Sequence, residues 1–131
     1  MSVKLEHVNV TVSNPEKTAA ALCQMFGWKI RWKGLAASGG QTVHVGLDDE
    51  YLAVYTDTRP GEPFTQKTYR KGAPLNHIGV VVPDLEEVEN RVRTAGFKPF
   101  GHGDYEPGRR FYFLDDDGIE FEVVSYMAQP A

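Results

Sequence analysis

The chain repeats itself, and this limits the folds open to it more than any other feature. Leu5-Glu6-His7-Val8-Asn9-Val10-Thr11-Val12 stands against Leu75-Asn76-His77-Ile78-Gly79-Val80-Val81-Val82 at an offset of 70. Both octets alternate apolar residues, as a half-buried strand does, and both carry a histidine third. Each octet runs into a helix-start signal. Asn14 precedes Pro15 and Glu16 in the first copy, and Asp84 precedes Leu85-Glu86-Glu87 in the second. Each helix is expected to stop at a glycine followed by an aromatic and a lysine. These are Gly27-Trp28-Lys29 and Gly96-Phe97-Lys98, at an offset of 69.

Inside the helices, Ala19, Leu22, Cys23 and Phe26 recur at helical spacing, as do Leu85, Val88, Val92 and Ala95. These form the expected core faces, with Cys23 an inert core thiol. After each helix the pattern becomes that of strands. The first copy offers Lys29–Lys33, Gln41–Leu47 and Tyr51–Thr56; the second offers Phe97–His102, Arg110–Leu114 and Ile119–Tyr126. Turn signals separate them, among them Gly39-Gly40, Glu106-Pro107-Gly108 and Asp115-Asp116-Asp117-Gly118. The expected organisation is a single domain over 1–131, with module 1 at about 3–57, a linker at 58–73 and module 2 at about 74–126. Each module reads strand, helix, strand, strand, strand.

Composition decides what the repeat does not. With 131 residues the chain is long enough to bury a core without disulfide staples. A net charge of −4 lacks the basic face of a nucleic-acid binder and disfavours an anionic membrane surface. One cysteine allows no internal disulfide, and the first residues show neither a signal peptide nor a membrane span. A cytoplasmic protein with no nucleic-acid or membrane partner is expected. No Gly-rich phosphate loop, Ser-His-Asp order or Cys-x-x-Cys pair points to a nucleotide cofactor or a nucleophile.

A duplicated βαβββ module with histidines so placed, closing on Asp117-Gly118-Ile119-Glu120-Phe121-Glu122-Val123-Val124, resembles the vicinal oxygen chelate superfamily. That group includes glyoxalase I, extradiol dioxygenases, fosfomycin-resistance enzymes and bleomycin-binding proteins. The resemblance implies an α+β fold. Two βαβββ modules would form a curled mixed sheet around a cup, with helices on the outer face. It also implies pairing of modules within one chain or across a dimer, and a homodimer is expected. Its metal ligands would lie on the first and last strand of each module. Strand alternation puts His7, His77 and Glu122 on the predicted concave face, with Glu120 as a second, more solvated carboxylate. Two histidines and a carboxylate suit a divalent Fe, Mn, Zn or Ni ion with open positions. Such an ion polarises a small-molecule substrate through two adjacent oxygens.

The expected function is therefore a metal-dependent small-molecule enzyme. Extradiol-dioxygenase-like chemistry is one branch. Tyr112, Asp115, Gly118 and Glu122 fit that signature, Asp116 replaces its proline, and His102 stands near its upstream histidine. A glyoxalase-like lyase or isomerase is another branch. It needs a second carboxylate where Ala53, Val54 or Tyr55 stands. A non-enzymatic, bleomycin-resistance-like drug binder is the rival from another class, and the acidic charge suits a cationic guest. Tyr112 and its first-copy counterpart His44 are the candidate catalytic residues. Arg109 and Arg110 read as solvated strand-start charges. Trp28 and Trp32 read as packing residues or an aromatic wall. Arg59–Lys71, with Phe64 and Tyr69, is a candidate lid.

Overall fold

The computed structural model describes residues 3–36, 39–59, 72, 75–105 and 108–126. Apart from Arg59, the candidate lid lies outside the described residues, as does most of the 58–73 linker. The chain divides into two units, Met1–Glu62 and Pro63–Ala131. Unit 1 contains β1 (His7–Thr11), α1 (Pro15–Phe26), β2 (Lys29–Leu35), β3 (Gln41–Gly46) and β4 (Tyr51–Thr56). Unit 2 contains β5 (Ile78–Val81), α2 (Leu85–Thr94), β6 (Phe100–Tyr105), β7 (Gly108–Leu114) and β8 (Glu120–Tyr126). Each unit is thus the expected βαβββ module, and the fold is α+β. The sheets are four-stranded and mixed, ordered β1-β4-β3-β2 and β5-β8-β7-β6. In each, the first strand runs parallel to the last and the other pairs are antiparallel. No described helix is long and apolar enough to cross a membrane.

Helix limits follow from local chemistry. Asn14 Oδ1 accepts from the Lys17 amide at 3.1 Å, and Asp84 Oδ1 from the Glu87 amide at 3.2 Å. Each satisfies one otherwise unpaired donor of the first turn. The two glycine ends differ in form. Gly27, at φ 70°, donates to the Cys23 carbonyl at 2.9 Å. After α2, Gly96 (φ 98°) donates to Arg93 and Phe97 donates to Val92, which is a Schellman ending. That ending corrects the expected start of β6. Phe97 serves the helix terminus, so pairing begins at Phe100 rather than at residue 97.

The cores balance helix against sheet. In unit 1, Ala19, Leu22 and Met25 of α1 are buried, as are Val43, Val45, Leu52 and Val54 of the sheet. Met25 takes the fully buried place that the spacing gave to Cys23 and Phe26, which are half-buried. In unit 2 the helix supplies only Leu85, Val88 and Val92, and the sheet provides the bulk. Phe111, Phe113, Phe121 and Val123 are almost entirely buried, with Phe113 stacked on Phe121 at 5.1 Å. A full burial of this kind stabilises by about 1.5–3 kcal/mol per side chain. It also commits the opposite, alternate residues of β7 and β8 to the other face.

The β7–β8 turn is tied by one carboxylate. Asp115 Oδ1 accepts from the amides of Asp117 and Ile119, each at 2.9 Å. Burial, reinforced by the charges of Asp117 and Asp116, raises the Asp115 pKa to about 6 against those two hydrogen bonds. The protonated form is therefore favoured by folding. Its stabilisation is complete below the ordinary carboxylate pKa and is lost as pH rises towards 6. Asp115→Asn keeps the acceptor oxygen and cannot ionise. Denaturation should show it more stable than wild type by roughly 1–2 kcal/mol at pH 7.5, discounted for partial solvent contact, and equal to it near pH 4.

A second test lies in β6. Its register shifts between Phe100 and Gly103, and Gly101 sits at φ 66° with a would-be Cβ 2.9 Å from Tyr112 Cδ1. Gly101→Val should cost roughly 2 kcal/mol or more from left-handed strain and the clash. Thermal unfolding measures that loss, and an unchanged Tm would contradict the bulge.

Candidate functional site

The polar face of unit 2 is assembled by register. Tyr112 pairs across with Glu122, Leu114 with Glu120, and Glu122 with Gly79 on the parallel side. His77 immediately precedes β5. The His77 Nε2 atom lies 3.1 Å from Glu122 Oε1, and its Nδ1 lies 3.9 Å from Glu120 Oε2. Arg110 Nη1 donates to the other Glu122 oxygen, Oε2, at 2.8 Å. The side chains of His77, Glu122 and Arg110 are only 28%, 14% and 11% exposed. Tyr112 meets the His77 ring edge-on at 6.0 Å and pairs across the strands with Glu122. Burial first, and then the Glu122 charge, raise the Tyr112 pKa. At neutral pH this phenol is a proton donor, not a base.

The equivalent face of unit 1 is aromatic. His7 stacks on Tyr51 at 4.9 Å, His44 stacks on Tyr51 at 4.5 Å, and Trp32 tilts against His44 at 5.0 Å. The Arg31 guanidinium lies 4.5 Å from the Tyr51 ring centre. It reaches that ring from the irregularity in β2 between Ile30 and Trp32. Burial first, and then the neighbouring His7 and Arg31, lower the His44 pKa, which favours its neutral imidazole at pH 7. Trp32 is 50% exposed, which fits a wall better than a core.

The two histidines differ in their carboxylate contacts: His7 Nδ1 lies 2.8 Å from Glu6 Oε1, whereas the nearer carboxylate to His77 is Glu122, at Nε2. An outer carboxylate of the Glu6 kind orients metal-binding imidazoles. The His77–Glu122 spacing also suits an ion. Two donors about 2.1 Å from one divalent cation, at about 90°, lie about 3.0 Å apart. Among the described residues, no group of three or more His, Cys, Asp or Glu side chains is gathered for a metal. His77 and Glu122 come together within unit 2, whereas His7 and His44 belong to unit 1.

Register also decides two open points. Ala53 pairs with Asn9 and His44 as Glu122 pairs with Gly79 and Tyr112. The place for a second carboxylate is therefore alanine. His102 departs from the dioxygenase signature. It is bonded to Glu89 of α2 at 2.8 Å and stacks on Phe111, on the helix side of the sheet and away from Tyr112. Two readings need correction. Glu120 is only 17% exposed rather than solvated, and Arg110 is a buried partner of Glu122 rather than a free strand-start charge. Arg109 does stay at the surface, paired with Glu86. The signal for Arg110 was its parity with Tyr112 on β7, opposite to Phe111 and Phe113.

Comparison with known proteins agrees with this layout. The family model described as the Glyoxalase/Bleomycin resistance protein/Dioxygenase superfamily matches residues 4–123. No curated protein matches. Among solved structures, a glyoxylase/bleomycin resistance protein/dioxygenase domain from Frankia sp. EAN1pec is 20% identical. It covers 97% of this chain and 100% of its own, with a TM-score of 0.78. The fosfomycin resistance protein FosX from Mesorhizobium loti is 23% identical over 95% of this chain and 92% of its own, at a TM-score of 0.72. A point variant of FosX from Listeria monocytogenes, complexed with Mn(II) and 1S,2S-dihydroxypropylphosphonic acid, is 21% identical. It covers 97% of this chain and 93% of its own, at a TM-score of 0.74. At such identities the structural likeness is one of fold. The duplicated βαβββ module and the family match over nearly the whole length together place this chain in the glyoxalase/bleomycin resistance protein/dioxygenase superfamily.

Proposed function

We propose that the protein is a metal-dependent enzyme whose small-molecule substrate binds the ion through two adjacent oxygens. The protein ligands in this reading are His7, His77 and Glu122. The observation that carries it is the 3.1 Å approach of His77 Nε2 to Glu122 Oε1 on a partly shielded face, with His7 Nδ1 2.8 Å from Glu6 in the other module. A bound divalent ion would supply Lewis-acid polarisation of the substrate oxygens. The FosX structure that holds Mn(II) together with a dihydroxy ligand makes Mn(II) the first ion to test. Fe(II), Zn(II) and Ni(II) follow from the same donor set.

The chain's own residues then divide the remaining work. Tyr112, kept protonated beside Glu122, can hand a proton to a developing oxyanion. His44, kept neutral, is the group on the unit 1 face able to accept a proton. Neither named branch is complete in the residues present. The dioxygenase branch lacks its histidine on the Tyr112 face, because His102 is bonded to Glu89. The glyoxalase-like branch lacks its second carboxylate, because Ala53 occupies the place. A three-ligand reaction assisted by Tyr112 and His44 is the form these residues support.

A drug-binding reading has one observation in its favour. The row Trp32, His44, Tyr51 and His7 is a wall suited to a flat guest, and the net charge of −4 suits a cation. Elemental analysis separates the two readings. Protein purified without tag or chelator, or reconstituted with Mn(II), should hold about one ion per chain. His77→Ala and Glu122→Ala should each weaken binding by more than about 100-fold, beyond what loss of an outer partner costs. If none of the four metals binds after reconstitution, the enzyme reading is overturned and the binding pocket takes its place.

A further inference from the structure

Arg110 stands out once the site is built. It sits on β7 two residues before Tyr112, with its side chain 11% exposed. Nη1 donates to Glu122 Oε2 at 2.8 Å and Nη2 to the Gly108 carbonyl at 3.3 Å. The guanidinium carbon lies 4.4 Å from the centre of the Tyr105 ring. That ring needs Gly103 beneath it, since a Cβ there would come within 2.6 Å of Tyr105 Cε1. Nε of Arg110 is buried with no hydrogen-bond partner among the described residues. A buried donor left unpaired is a real cost, so the guanidinium is aimed at Glu122 at the expense of its own best satisfaction.

We infer that Arg110 is a positioning residue that keeps Glu122 a one-oxygen ligand. The inference rests on the metal-site reading above. A carboxylate can bind a divalent ion through one oxygen or both. With Oε2 engaged in a charge-assisted bond to Arg110, only Oε1 faces His77. Two-oxygen binding would have to compete with that bond for the placement of Oε2. An octahedral ion held by three single donors keeps three open positions, and a substrate binding through two adjacent oxygens needs two of them. A second oxygen from Glu122 would take one away. Arg110 thus sets how many positions are free for water and substrate, without touching either.

Water-proton relaxation by bound Mn(II) reads this number directly and needs no substrate. Mn(II) alone is titrated into wild type, Arg110→Met, Arg110→Lys and Tyr105→Leu, with binding followed in parallel by electron paramagnetic resonance. Relaxation per bound ion should fall by roughly a third in Arg110→Met, as one of about three waters is lost. Arg110→Lys, which keeps a cationic donor, should restore much of the difference. Tyr105→Leu removes an exposed ring from over the guanidinium, and should move the value the same way by less. It reads the same quantity if Arg110→Met does not fold. Equal relaxation per bound ion in wild type, Arg110→Met and Tyr105→Leu overturns the role of Arg110 and leaves the metal site standing. Absence of Mn(II) binding by wild type overturns the metal reading itself, and the two failures are distinct.

Discussion

Parallel pairing of the first and last strand in each module is the constraint from which the site follows. A parallel pair needs a crossover, and here the helix and two further strands lie between the partners. Pairing of Gly79 with Glu122 then brings the residue just before β5 beside the acidic end of β8. His77 meets Glu122 because of strand register, not because the two are near in sequence. Three other constraints hold that register. The buried Phe111, Phe113 and Phe121 forbid a slip of one residue, which would bring glutamates inward. Asp115 fixes the length of the β7–β8 turn through two amides. The Gly101 bulge lets β6 accommodate Tyr112.

The two modules share this frame but have diverged in what they display on it. His7 corresponds to His77, but His7 meets Glu6 at Nδ1 whereas His77 meets Glu122 at Nε2. Glu122 becomes Ala53, and Tyr112 becomes His44. One face carries the Glu122–Arg110 ion pair beside Tyr112. The other is a row of rings around Tyr51. In the proposed reading, with alanine at position 53, the donor set is two imidazoles and one carboxylate, His7, His77 and Glu122.

Much of this was legible in the sequence because the signals were local or periodic. Caps at Asn14 and Asp84, glycine stops, and alternation in β1 and β8 each depend on a few neighbouring residues. Failures came where a residue answers to tertiary partners. Phe97 looked like strand but serves the end of α2. His102 matched a motif by spacing, yet Glu89 on the helix holds it on the other face. Arg110 looked like a solvated charge because its partner lies across a hairpin, and parity on one strand does not reveal partners on the next. The choice among Ala53, Val54 and Tyr55 needed the β1–β4 pairing, which no single-strand pattern contains.

The central claim is that two specific imidazoles bind metal through Nε2. With only four histidines in the chain, nitrogen-15 NMR of the imidazoles during titration with Zn(II) tests it residue by residue. The account predicts that Nε2 of His7 and of His77 shift to metal-bound values at about one equivalent, while His102, held by Glu89, keeps its signals. Unshifted His7 and His77, or a metal-bound signal from His102 in their place, would contradict it.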